Sequence, residues 1–299
     1  MRLLLVRRVG TICRILLAFP HPPLAPKPNS SEFTFLSMTG KNLINSLTKH
    51  CLLSLYHSWT VLPKLQIVSD GSLTTSELAE ALAWWPGEKE FSTWEDSVLY
   101  HQQRGRESLV RYAKASSIMG RKFAVITHFG EEGPILWCDA DILWFKELQD
   151  LPVSRDSSAF PGLKLAEDNV QSYDEELLEN GLEHLRKPPY FNAGLVFLKG
   201  NLFQVCNLDR YINIVANQSY SSWLAEQTLF AEALHQLKGD FWSREKIALL
   251  VDDRLSLAPT YLGKNWIARH YVGPVRYIFY RDALALKWRW LKAILTFFR

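Results

Sequence analysis

The run Ile135 to Phe145 reads ILWCDADILWF, and Asp139 and Asp141 stand in the middle of residues otherwise suited to a core. A buried carboxylate is costly unless it is paired or binds a metal. In an extended strand, residues i and i+2 face one side, so these two would share a face with roughly 6–7 Å between their Cα atoms. Acidic oxygens at the carboxyl end of an α/β strand suit a hard cation, Mn²⁺ or Mg²⁺, which in turn binds substrate phosphates. Far downstream, Arg269 to Arg276 reads RHYVGPVR. His270 is a suitable third ligand, Gly273 lets backbone approach an anion, and Arg276 can pair bidentately with a phosphate. Plainer readings stay open: the DxD as a solvated turn, and His270 as a satisfied core histidine.

The elements that must hold these residues follow an α/β pattern. EFTFLSMTG (Glu32 to Gly40) reads as a strand entering a glycine turn, and KNLINSLTKHCLLSLYHSW follows with helical spacing. KLQIVSDGSLT (Lys64 to Thr74) is a second strand, with a helix opening near Thr75. Strand, helix, strand, helix at short spacing predicts a parallel sheet with helices on its faces. The helical ESLVRYAKASSIMG precedes GPILWCDADILWF, read as the third clear strand. PYFNAGLVFLKG (Pro189 to Gly200) reads as another, followed by helices near Phe203 to Ala216 and Ser222 to Leu237. Short strand signals in the second half point to a mixed sheet in a single domain.

Taken in order, SDGSL, LWCDADILWF, FNAGLVF, AEQTLF and HYVGPVR resemble nucleotide-sugar-dependent glycosyltransferases of the GT-A fold, on the glycogenin-like and lipopolysaccharide galactosyltransferase-like side. The resemblance spans Glu32 to Asp282. It implies that Asp139, Asp141 and His270 hold Mn²⁺ or Mg²⁺, which bridges the diphosphate of a nucleotide-sugar donor. It sets Arg276 against that diphosphate, with Gly273 letting the loop close. Met38, Thr39 and Gly40 match the grip on base and ribose, and Asp70 matches a base-side contact. Lys122 matches a phosphate or sugar contact; without the resemblance it is a surface lysine. Asn192 would meet sugar hydroxyls, and Gln227, beside Glu226, matches the position near the reacting sugar carbon. Bland counterparts stay open for FNAG as a glycine bulge, Glu226 as a solvated helix residue and Asp70-Gly71 as an ordinary turn. Retention is the expected stereochemical outcome, because no carboxylate is plainly placed as the base inversion needs, although Glu226 and Asp252 are candidates.

Two departures from the family pattern stand out. WWPGEKEFSTWEDSVLYHQQRGR matches no donor-recognition element, and the tail after HYVGPVR lacks the Pro-Trp common in glycogenin-like enzymes. Two alternatives compete with the transferase. A Mg²⁺-dependent haloacid-dehalogenase-like phosphatase also uses a DxD but wants Thr or Val where this chain has Leu143. A sugar-nucleotide-binding protein without turnover is opposed by the intact ligand set.

The 299 residues, 47% hydrophobic and 22% charged, suit one large globular domain. A net charge of +3 is too small to indicate a nucleic-acid partner. Cys13, Cys51, Cys138 and Cys206 form no CxxC pair and fit buried thiols in a reducing, cytoplasmic setting. No apolar run reaches the roughly 18–20 residues of a membrane span. Residues 1–31 read as a mobile leader and proline-rich linker, 32–282 as the GT-A domain, and 283–299 as a basic amphipathic helix. That last helix either packs on the domain or gives a peripheral membrane contact, which would suit a lipid-linked acceptor; carbohydrate and protein acceptors are equally open.

Overall fold

The computed structural model describes residues 2–115, 118–151, 161–218, 222–249 and 256–297. Asp252, considered above as a base, lies outside them. The chain opens with α1 (Arg2–Leu17) and β1 (Asn29–Thr39), then a π-turn (Ile44–Thr48) running into α2 (Lys49–Ser58). β2 (Leu62–Ser69), α3 (Thr75–Ala81), β3 (Lys89–Thr93), α4 (Trp94–Gln102), α5 (Glu107–Lys114) and α6 (Ile118–Glu132) follow. Next come β4 (Ile135–Cys138), β5 (Ile142–Trp144), β6 (Gly162–Asp168), the short α7 (Glu175–Leu177) and β7 (Tyr190–Lys199). The remainder is α8 (Leu202–Val205), α9 (Asp209–Ala216), α10 (Ala225–Leu237), β8 (Asp240–Trp242), β9 (Ile247–Leu249), β10 (Ala268–His270) and α11 (Arg276–Phe297).

Seven strands form one mixed sheet in the order β3-β2-β1-β4-β7-β6-β8. β1 to β4 are mutually parallel, as the strand–helix alternation predicts, and β7 enters antiparallel between β4 and β6. A second sheet of three strands runs β5-β10-β9. The local signals explain the boundaries. Thr74 caps α3 and Glu77 reaches back in a full capping box, so the helix opens at Thr75 as its sequence predicts.

ILWCDADILWF is therefore not one strand. β4 ends at Cys138 in the large sheet, the chain turns through Asp139 to Asp141, and β5 begins at Ile142 in the small sheet. Its apolar residues plug three separate clusters: Ile135 and Trp137 in one, Leu136, Cys138, Ile142 and Trp144 in a second, Leu143 in a third. Each fully buried side chain of this kind contributes about 1.5–3 kcal/mol. The turn between two firmly anchored strands is thereby fixed, and the carboxylates leave from a turn rather than from a strand face.

The first 17 residues differ from the expected mobile leader. Val6, Cys13 and Leu17 recur at i, i+7 and i+11 and are buried, and α1 packs along α11. A Cβ on Gly10 would lie 2.6 Å from the Tyr277 carbonyl, so glycine permits this close approach. The proline-rich segment is tied down as well. Lys27 donates to the Tyr56 and Trp59 carbonyls at 2.6 Å each, and Tyr56 donates to the Ala25 carbonyl. At the other end, Ile278, Phe279, Ala283 and Leu286 of α11 are buried, and Trp290 stacks on His57 with centroids 4.0 Å apart. The final helix thus turns its apolar face to the protein, and the membrane contact expected of it has no support. Among the described residues, no helix is long and apolar enough to cross a membrane.

Candidate metal and donor site

The turn after β4 is held by its own backbone to the two other motifs. The Asp139 N–H donates to the Gly194 carbonyl of β7 at 2.8 Å, and the Tyr271 N–H donates to the Asp141 carbonyl at 2.9 Å. The register between β6 and β7 jumps from Leu165↔Val196 to Ala166↔Asn192, a bulge that sets Ala193, Gly194 and Leu195 out of the ladder. Both readings of FNAG meet here, because the bulge is what brings Gly194 against His270. A Cβ at Gly194 would lie 2.3 Å from the His270 ring, so any larger residue would displace the imidazole.

Asp139, Asp141 and His270 converge, each offering a ligand atom within 4.8 Å of the others, and they are the one such group among the described residues. His270 Nε2 lies 3.1 Å from Asp141 Oδ1 and 3.8 Å from Asp139 Oδ2. Its other nitrogen, Nδ1, meets Asn192 Oδ1 at 2.9 Å. That oxygen also accepts the Gly194 N–H at 2.7 Å, which marks it as the carbonyl of the carboxamide. Nδ1 must then donate, and Nε2 is the atom turned to the carboxylates. Burial would lower the His270 pKa, but Asp141 and Asp139 outweigh it and raise it. Burial would raise the Asp141 carboxyl, but His270 and Arg276 hold it down at about 2. Two carboxylate oxygens and an imidazole nitrogen at this spacing fit a hard or borderline divalent cation.

Two cations flank the group. Arg276, the first residue of α11, donates from Nε (2.9 Å) and Nη2 (2.6 Å) to Asp141 Oδ2, with its side chain half exposed. Lys122 is not a surface lysine: it is 7% exposed and bridges Asp139 Oδ1 at 2.9 Å and Glu226 Oε1 at 2.8 Å. Burial would lower its pKa, but the two carboxylates outweigh that and keep it charged. Glu226 is likewise no solvated helix residue. It is 2% exposed, and burial pushes its carboxyl up against the pull of Lys122.

The other expected residues divide into those that face the cleft and those that support it. Met38, Thr39 and Asp70 line a cavity of about 240 Å³ together with Lys122, Asp139, Asp141 and Arg276. It opens at the carboxyl ends of β1, β2 and β4, the place where α/β sheets bind ligands. Gly40 packs beside Asp70, whose carboxylate would lie 2.0 Å from a Cβ there. Gly273 borders open space, with nothing within 4 Å of a Cβ. Asn192 and Gln227 stand behind the metal group. Asn192 Nδ2 donates to Gln227 Oε1 at 2.9 Å, and Gln227 Nε2 donates to the Ser172 carbonyl at 2.6 Å. Their amides are occupied in orienting His270.

Three residues at the site escaped the sequence reading. Trp137 donates its indole N–H to Asp139 Oδ1 at 2.8 Å, a contact its i−2 position in β4 could have signalled. Asp168 ends β6 beside Asn192 and His270, is raised by burial, and accepts the Asn169 and Val170 N–H groups. Trp223, 71% exposed, stands at the cleft where no local pattern marks it. Leu143, where a haloacid-dehalogenase-like phosphatase wants Thr or Val, is wholly buried in the small sheet.

The architecture recurs in solved glycosyltransferases. Mouse xyloside xylosyltransferase 1, in its apo form, matches 81% of this chain and 98% of its own with a TM-score of 0.54 at 14% identity. The galactosyltransferase LgtC, in complex with donor and acceptor sugar analogues, matches 85% of this chain and 96% of its own, with a TM-score of 0.54 at 13% identity. The bifunctional glycosyltransferase WbbM has a TM-score of 0.56 over 89% of this chain at 11% identity, and the match spans 51% of its length. No protein-family model and no curated protein sequence matches the chain. The chain has the GT-A fold of nucleotide-sugar glycosyltransferases, with the helix-flanked mixed sheet its motifs lead one to expect.

Proposed function

We propose that this protein is a metal-dependent glycosyltransferase that moves a sugar from a nucleotide-diphosphate sugar to an acceptor. The observation that carries the reading is the convergence of Asp139, Asp141 and His270 beside a cleft at the carboxyl ends of β1, β2 and β4. These three side chains would hold Mn²⁺ or Mg²⁺. The cation supplies Lewis-acid neutralisation of the charge that grows on a departing diphosphate. Met38, Thr39 and Asp70 are assigned to the nucleoside end of the donor. Lys122 pairs with Asp139 and orients it, and Asn192 with Gln227 fixes the His270 tautomer. Arg276 is assigned to the diphosphate, leaving Asp141 Oδ2 when donor arrives; its half-exposed side chain has room to swing.

Retention is the stereochemical outcome this arrangement favours. Glu226 is held by Lys122, and Asp168 accepts two backbone N–H groups, so neither stands free as a general base. The test is a panel of UDP-, GDP- and ADP-sugars with and without Mn²⁺, read by release of nucleoside diphosphate. Release that depends on both metal and one donor class supports the transferase. Tight binding of a nucleotide sugar with no release, with or without sugar acceptors, favours the non-catalytic alternative. Neither binding nor release with any donor would sink the proposal.

A further inference from the structure

The α1 helix shows two apolar stripes, and the fold uses only one. Val6, Gly10, Cys13 and Leu17 are buried toward α11, whereas Leu5, Ile12, Ile15 and Leu16 lie on another side and, with Phe19 just past the helix end, are 41–64% exposed. Leu5, Ile12, Ile15 and Leu16 stand at i, i+7, i+10 and i+11, one face of a helix. Five of the fourteen exposed large apolar side chains among the described residues fall in this stretch of fifteen. That concentration sets it apart from the scattered surface hydrophobes any protein carries.

The charges around the stripe have one sign. The first 31 residues contain no aspartate or glutamate, and Arg7, Arg8 and Arg14 are exposed. Arg8 lies three residues after Leu5, four before Ile12 and seven before Ile15, within the apolar face itself. Arg7 and Arg14 lie on the opposite side of the helix, at the far edge of the buried face, with their guanidinium groups over the Tyr277 and Tyr280 rings of α11. Lys287 of α11 donates to the Phe19 carbonyl at 2.7 Å, and Trp288, the next residue, is 57% exposed. Two copies meeting through this face would bring Arg8 near Arg8. An anionic lipid surface offers apolar depth for the stripe and phosphates for Arg8.

We propose that the outer face of α1 binds the protein to anionic membranes, with the helix lying in the interface plane and the domain held by α11. The surface is on the first helix, not on the last, and the proposal does not depend on the transferase reading. The test is co-sedimentation of the full chain with phosphatidylcholine vesicles, with and without phosphatidylglycerol. Binding is expected only with the anionic lipid and is expected to weaken as salt rises. The double variant Ile12→Glu and Phe19→Glu should lose about tenfold or more of the bound fraction, and Arg8→Glu a smaller share. An unchanged melting temperature would show that these exposed positions left the fold intact. Absence of binding to anionic vesicles, or binding the double variant retains, would overturn the proposal. So would self-association that the double variant abolishes in a protein indifferent to vesicles, because the face would then belong to a second copy.

Discussion

His270 and the residues on either side of it, Arg269 in β10 and Tyr271 just after it, face opposite ways, and each way leads to buried charge. On one side His270 joins Asp139, Asp141, Lys122, Glu226 and Arg276. On the other, Arg269 and Tyr271, both wholly buried, meet Thr260 and the α11 pair Arg281 and Asp282. The second group closes on itself. Asp282, with no exposure, accepts the Tyr271 hydroxyl at 2.7 Å, Arg281 Nε at 2.9 Å and Nη2 at 2.8 Å, and the Thr260 backbone. The first group instead keeps three carboxylates near three cations around a cleft, and one of those cations is half exposed. Similar side chains serve both. What separates them is whether the donors and acceptors are used up within the protein or aim at a shared point beside open space.

This contrast can be broken by substitution. Asp141→Asn should lower metal-dependent donor turnover on the order of a thousandfold, since several kcal/mol of charge stabilisation go with the cation. The variant should remain folded by circular dichroism. Asp282→Asn should do the reverse. Removing the charge that satisfies Arg281 costs about 3–5 kcal/mol, read by chemical denaturation, while the folded variant still binds Mn²⁺. If Asp282→Asn abolished metal binding at unchanged stability, the two groups would not be separate in role.

Arg276→Gln should sharpen the comparison at smaller scale. Without its guanidinium on Asp141 Oδ2, Mn²⁺ alone should bind several-fold tighter, while nucleoside diphosphate should bind about tenfold more weakly. Titration calorimetry with each ligand checks both signs. The smallest effect is on acid stability. Asp141 stays ionised to about pH 2, so its own titration lies below the pH 7 to 5 range. Burial lowers His50 and His101 to about 3, below the unfolded value near 6.5, and nearby cations add to the effect. The unfolded chain then binds more protons between those values, so stability is full above pH 6.5 and falls as pH drops below it. Each histidine contributes up to about 1.4 kcal/mol per pH unit. His101→Gln should flatten that slope.

Much of the large sheet was legible because its signals are local: alternation of strand and helix, the Thr74–Glu77 capping box, and the turn at Asp70-Gly71. The candidate site was legible through residue types, since DxD, FNAG and HxxGxxR each contain a candidate ligand or a tight approach. What could not be read was distance across the chain. Asp141 and His270 are 129 residues apart, and nothing in either stretch says that β5 and β10 pair. For the same reason ILWCDADILWF passed for one strand, because an apolar run carries no mark of the point where it changes sheets. Lys122 passed for a surface lysine because its burial depends on Glu226 arriving on α10. α1 passed for a leader because the stripe Val6, Cys13, Leu17 has meaning only once α11 lies beside it.

The central claim is that Asp139, Asp141 and His270 form one cation site that nucleoside diphosphate completes. Electron paramagnetic resonance of Mn²⁺ tests it most directly, with the bound fraction measured for the wild type and for Asp141→Asn, with and without UDP and GDP. One equivalent of bound Mn²⁺ in the wild type, tightened by a diphosphate and lost in Asp141→Asn, is the predicted result. Equal Mn²⁺ binding by both proteins would contradict it.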